Sequence, residues 1–91
     1  MPYIDKSIRE KYDEPINKIV STLENKDCNE TAGILAYIIY KLCIGVGKRF
    51  GHTDFARLNM IVGVFDNVKD EFKRRILWPY EDTKREVNGD V

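Results

Sequence analysis

One stretch of this chain is too apolar to be left uncovered on any side. Period-3.6 spacing predicts a helix from Asp27 to about Phe50. Its apolar residues occupy nearly the whole circumference: Ile34, Leu35, Ala36, Tyr37, Ile38, Ile39, Tyr40, Leu42, Cys43, Ile44 and Val46. A helix that is apolar all round lies at the centre of a fold or is buried by a partner. Because a chain of 91 residues offers few internal neighbours, we expect a homo-oligomer with this helix at or beneath the interface. The alternative is a helix sandwiched within one chain.

The same segment raises the question of a membrane and of the cellular compartment. Residues 32–46 are interrupted by Lys41 and fall short of the about 20 apolar residues that a span needs, so we expect a buried helix and no membrane. The first residues contain no apolar run, so no signal peptide is expected. Cys28 and Cys43 are too few for a disulfide framework, which favours free thiols in a reducing cytoplasm.

The N-terminal third is predicted to be helical with a break. Apolar residues four positions apart indicate a first short helix begun by Asp5: Ile4, Ile8 and Tyr12. Pro15 suits the first turn of a helix, so a restart is predicted there, with an end at Asn25-Lys26. Glu30 follows Asp27 at the spacing of a capping box, which predicts the start of the long helix.

A third helix is predicted after the tight connector Gly51-His52. Thr53 is expected to cap it, with Asp54 in its first turn. One apolar stripe runs along it: Phe55, Leu58, Ile61, Val62, Phe65, Val68, Phe72 and Ile76. Trp78-Pro79 is predicted to break the chain and to begin a short last helix, which Asn88-Gly89 ends.

Together these elements predict a single all-α domain over residues 1–91. The two long helices are expected to form an antiparallel helical hairpin. Short N-terminal and C-terminal helices flank the hairpin, and the expected assembly is an oligomeric helical bundle.

No catalytic, metal or cofactor site is readable from the residue spacing. His52 is the only histidine, and a general base needs a positioned partner, so a solvated loop histidine is the simpler interpretation. The spacing of Cys28 and Cys43 matches no zinc pattern. Residues 45–48 (GVGK) lack the glycine spacing and the hydroxyl of a phosphate loop, which favours helix fraying or close helix packing. We therefore expect a protein that is not an enzyme and has no cofactor.

Basic residues near the middle of the chain form a first candidate binding site. Lys48 and Arg49 end one predicted helix, and Arg57 lies one turn into the next. Free N–H groups at a helix start attract anions, so these three cations with His52 could hold a phosphate or carboxylate. The alternative is that Lys48 and Arg49 satisfy the last carbonyls of their own helix.

Cationic and aromatic side chains near the C-terminal end form a second candidate site. It comprises Arg74, Arg75, Tyr80 and Lys84. Guanidinium forks beside an aromatic face suit phosphates and bases. In the alternative, the arginines pair with Asp70, Glu71 and Glu81 while Trp78 and Tyr80 pin the last helix back onto the hairpin. Pairs four residues apart, Asp70 with Arg74 and Glu71 with Arg75, are expected as helix-surface ion pairs.

The chain resembles a family of small uncharacterised proteins of tailed bacteriophages and bacteria. The matching segments are Met1-Pro2-Tyr3-Ile4, Ala56-Arg57-Leu58-Asn59 with Gly63-Val64, Glu71-Phe72-Lys73-Arg74-Arg75, Pro79-Tyr80-Glu81-Asp82 with Lys84, and Asn88-Gly89-Asp90-Val91. Lys73 departs from the family, which often has an aromatic residue there. The resemblance implies a phage or prophage accessory protein, and it supplies no catalytic residues.

Two functions from different classes are expected. The first is a non-catalytic binder of a small anionic ligand, built as a homo-oligomer. By analogy with phage proteins of this size, it could be an anti-defence sponge that sequesters a nucleotide immune signal. The second is a protein–protein interaction adaptor for a host or virion protein, because Arg, Trp and Tyr dominate interface hot spots. Nucleic-acid binding is disfavoured because fifteen acidic residues balance fifteen basic ones.

Overall fold

The computed structural model describes residues 4–91, which consist of helices joined by short turns. The elements are α1 (Lys6–Ser21), α2 (Cys28–Arg49), α3 (Phe55–Phe72), one π-helical turn (Lys73–Leu77) and α4 (Trp78–Asn88). Residues 4–91 contain no strand, so the all-α prediction is confirmed. The chain divides into two units, one ending at Val46 and the other beginning at Gly47.

Helix α1 runs through Pro15 without a break, so the predicted restart is wrong. Asp5 precedes the helix as expected, and its carbonyl accepts hydrogen bonds from the N–H groups of Ile8 and Arg9, each at 3.0 Å. An interior proline removes one helical hydrogen bond and crowds one carbonyl. Helical hydrogen bonding on both sides of Pro15 evidently outweighs that loss.

The end of α1 also differs from the prediction. The helix stops at Ser21, ahead of Asn25-Lys26. The hydroxyl of Ser21 donates to the carbonyl of Asn17 at 3.0 Å, and the hydroxyl of Thr22 donates to the carbonyl of Ile19 at 2.7 Å. Such side-chain bonds compete with helix hydrogen bonds, which explains why the chain turns here.

Helix α2 begins and ends where the sequence indicates. The Asp27 carboxylate accepts the N–H of Glu30 at 2.8 Å, and the Asp27 carbonyl accepts the N–H of Thr31 at 2.9 Å. This arrangement is an N-cap. Lys26 adds an ion pair with Glu30 at 3.9 Å. The helix then continues for 22 residues to Arg49.

From α3 to α4 the chain stays helical, so the predicted break at Trp78-Pro79 is wrong. The π-helical turn connects the two helices, and the N–H of Trp78 donates to the carbonyl of Lys73, five residues back. In a regular α-helix the Pro79 ring would clash with the carbonyl four residues before it. The wider turn moves that carbonyl and so accommodates the proline. Gly89 ends α4 as predicted, with φ 90° and its N–H on the carbonyl of Arg85 at 2.9 Å.

Neither unit has a buried apolar core in the part of the chain that the structure describes. No hydrophobic side chain among residues 4–91 is buried. On α2 five large apolar residues are exposed, among them Tyr40 with 64% of its surface, and the four isoleucines are half-buried. Burying a large apolar side chain contributes roughly 1.5–3 kcal/mol. Most of that stabilisation is therefore not realised within either unit of the chain.

Candidate functional site

The turn after α2 is closed by its own backbone. The N–H groups of Phe50 and His52 donate to the carbonyl of Gly47 at 3.0 and 3.2 Å, and the N–H of Gly51 donates to the carbonyl of Lys48 at 3.0 Å. Gly51 and His52 both have left-handed backbones, with φ 74° and φ 54°. The carbonyls of Gly47 and Lys48 are therefore satisfied by backbone donors and do not need the side chains of Lys48 and Arg49.

Gly47 is the one buried residue among residues 4–91, and the His52 side chain is what covers it. A Cβ at position 47 would lie 2.6 Å from His52 Nε2 and 3.4 Å from Leu58 Cδ2. The prediction of close packing is thus confirmed for Gly47. Gly45 has open space beside it. His52 lies in the turn and is exposed, as expected, and one edge of its ring lies against Gly47 of α2.

The start of α3 carries a carboxylate of the chain itself, which satisfies the N–H of Arg57. Asp54, not Thr53, is the N-cap, and its Oδ1 accepts the N–H of Arg57 at 3.2 Å. Its Oδ2 lies 3.3 Å from Arg57 Nε. Both residue types cap helices well, and the aspartate also supplies the negative charge that the helix dipole favours. An external anion would have to displace this group.

Arg57 makes a second contact that sequence reasoning missed. Its guanidinium carbon lies 5.0 Å from the centroid of the Phe50 ring. This distance is within the range of a cation–π interaction. Arg57 is therefore held between the Asp54 carboxylate and an aromatic face. No ion pair in residues 4–91 involves Lys48 or Arg49.

In the C-terminal candidate site, both arginines converge on one carboxylate. Arg74 Nη2 lies 2.7 Å from Glu71 Oε1, and Arg75 Nε lies 3.7 Å from the same oxygen. The Glu71–Arg75 pair is confirmed, whereas Arg74 pairs with Glu71 instead of the predicted Asp70. The Glu71 side chain is only 17% exposed, because neighbouring side chains on α3 and the π-helical turn cover it.

A shallow groove lies beside this cluster on the same helical segment. Its volume is about 540 Å³, and its lining residues are Val68, Glu71, Phe72, Arg75 and Ile76. The groove is mainly apolar apart from the Glu71 and Arg75 groups, which already bind each other. It offers little to a small anion and more to an apolar side chain from another protein.

Tyr80 and Lys84 contact each other one turn apart. Lys84 Nζ lies 5.7 Å from the centroid of the Tyr80 ring. The interpretation that Trp78 and Tyr80 pin a separate last helix back onto the hairpin is wrong, because α4 continues directly from the π-helical turn. Trp78 and Tyr80 each expose half of their surface or more. The candidate C-terminal residues thus form two local groups, Arg74 and Arg75 around Glu71 and Lys84 with Tyr80.

The described residues also bear on metal ions and on membranes. Residues 4–91 contain no group of three metal-binding side chains, and Cys28 and Cys43 are free thiols. By length and composition alone, α2 could cross a membrane, with a mean hydropathy of 1.3 over its most apolar window.

Comparison with known proteins adds a family. The profile of the family described as Domain of unknown function (DUF6899) matches residues 1–91. The chain belongs to this family. No curated protein and no solved structure matches the chain. The predicted resemblance to an uncharacterised family is thus confirmed. Membership of DUF6899 assigns no activity to this chain.

Proposed function

We propose that this DUF6899 chain is a non-catalytic protein that acts by binding other protein chains, first copies of itself and then a protein partner. The observation that carries the proposal is the lack of any buried apolar side chain among residues 4–91. In the assembly, α2 and α3 form the antiparallel hairpin of a helical bundle. The resemblance to phage proteins supports the role of an accessory adaptor that acts on a host or virion protein in the cytoplasm.

Helix α2 is the strongest support for self-assembly. Its exposed apolar residues point in several directions around the helix: Leu35, Tyr37, Tyr40, Leu42 and Val46. A helix of this kind is stable in water only when it is covered. The free energy at stake is several times that of a single side chain, each contributing roughly 1.5–3 kcal/mol.

A protein environment suits α2 better than a lipid bilayer. Lys41 lies near the middle of the helix, where a charge costs roughly 2.5–3.5 kcal/mol in a membrane span. Tyr37 and Tyr40 lie beside it, whereas tyrosines in spans favour the two interfaces. Amphipathic aromatics are common where protein chains meet.

Three of the candidate arginines already bind carboxylates within the chain, which argues against a strong anion site at those positions. Arg57 binds Asp54, and Arg74 and Arg75 bind Glu71. A small anion at these positions would compete with carboxylates that are covalently part of the chain, and these have a high effective concentration.

Anion binding stays the second candidate because two neighbouring cations at the end of α2 have no acidic partner. Neither Lys48 nor Arg49 takes part in an ion pair within residues 4–91. In an oligomer such cations could gather from several copies around a nucleotide, as an anti-defence sponge requires. Calorimetry with cyclic and ADP-ribose-type nucleotides tests this candidate, and flat traces would exclude it.

Two neighbouring substitutions on α2 test the main proposal. Leu42→Ser removes an exposed apolar side chain, and Lys41→Ser places the same new residue one position away. We expect Leu42→Ser to weaken self-association at least about tenfold, since roughly 1.4 kcal/mol corresponds to that factor. Lys41→Ser should change it little. Equal association constants for Leu42→Ser and the wild type, measured by sedimentation equilibrium, would contradict the proposal.

A further inference from the structure

We draw no further inference here: the strongest candidate, the apolar face that runs from α3 through the π-helical turn into α4, carries none, because nothing in the structure shows what covers it and the groove along it already holds the ion pair of Glu71 and Arg75.

Discussion

Gly47 and His52 form a contact that only their backbone conformations make possible. The left-handed His52 returns its ring to the α2 backbone, where a Cβ on residue 47 would lie 2.6 Å from Nε2 and 2.7 Å from Cδ2. The left-handed region is accessible to histidine, though less readily than to glycine. The His52 ring is therefore packed against Gly47 within the turn.

Alanine at the two neighbouring glycines of α2 should have different effects on stability. Gly45→Ala meets open space and should stabilise the helix by about 1 kcal/mol. Gly47→Ala should stabilise it less, because the exposed His52 ring has to move away from the new methyl group. Urea unfolding of both variants measures the difference.

A second variant checks the cause. In a His52→Gly background the ring is absent and the left-handed backbone is relaxed, so Gly47→Ala should become as favourable as Gly45→Ala. If Gly47→Ala still gains less than Gly45→Ala in that background, the His52 contact does not cause the difference.

Asp54 and Thr53 offer a similar comparison at the start of α3. Asp54 caps the helix through the N–H of Arg57 at 3.2 Å and pairs with its guanidinium. Asp54→Ala should therefore cost about 1 kcal/mol of unfolding free energy, and Thr53→Ala less than half of that. Chemical denaturation of the two variants tests the assignment, and a larger loss for Thr53→Ala would reverse it.

At the scale of the helices, the two interior prolines show which features of a helix can be predicted from neighbouring residues and which cannot. The Asp27 cap and the Gly89 end were predictable because each depends on two or three adjacent residues. Pro15 and Pro79 were predicted to interrupt the chain, yet α1 continues through Pro15 and a π-helical turn precedes Pro79. A proline marks a strained position, but it does not specify whether the helix ends, bends or widens there.

Replacing each proline by alanine should distinguish a proline inside a helix from one in the first turn of a helix. Pro15 lies inside α1, so Pro15→Ala restores a helical hydrogen bond and should stabilise that helix by up to about 3 kcal/mol. Pro79 lies in the first turn of α4, where proline is tolerated, so Pro79→Ala should gain less. Circular dichroism during thermal unfolding compares the gains, and a larger gain for Pro79→Ala would contradict this reading of the two sites.

The sequence identifies which residues are candidates for the site, but it does not predict which of them contact each other. Arg74 has acidic neighbours three and four positions before it, Glu71 and Asp70, and only the rotamers decide between them. Arg57 was expected to face an anion, but the cap residue beside it provides one. The contact between Gly47 and His52 depends on a left-handed turn that spacing does not reveal.

At the scale of the whole molecule, the apolar surface has to be covered by something outside each unit. No hydrophobic side chain among residues 4–91 is buried, although apolar residues make up 43% of the sequence. A chain of this size has little stability to spare. The homo-oligomer that we propose would supply the missing burial and would make stability depend on protein concentration.

The mass of the wild-type protein in solution, measured by sedimentation equilibrium across a dilution series, tests this view most directly. The chain weighs 10.6 kDa, and we expect a whole multiple of that mass, with dissociation and loss of helix content on dilution occurring together. A folded single chain with unchanged helix content at every dilution would contradict it, because α2 would then be shielded by its own chain.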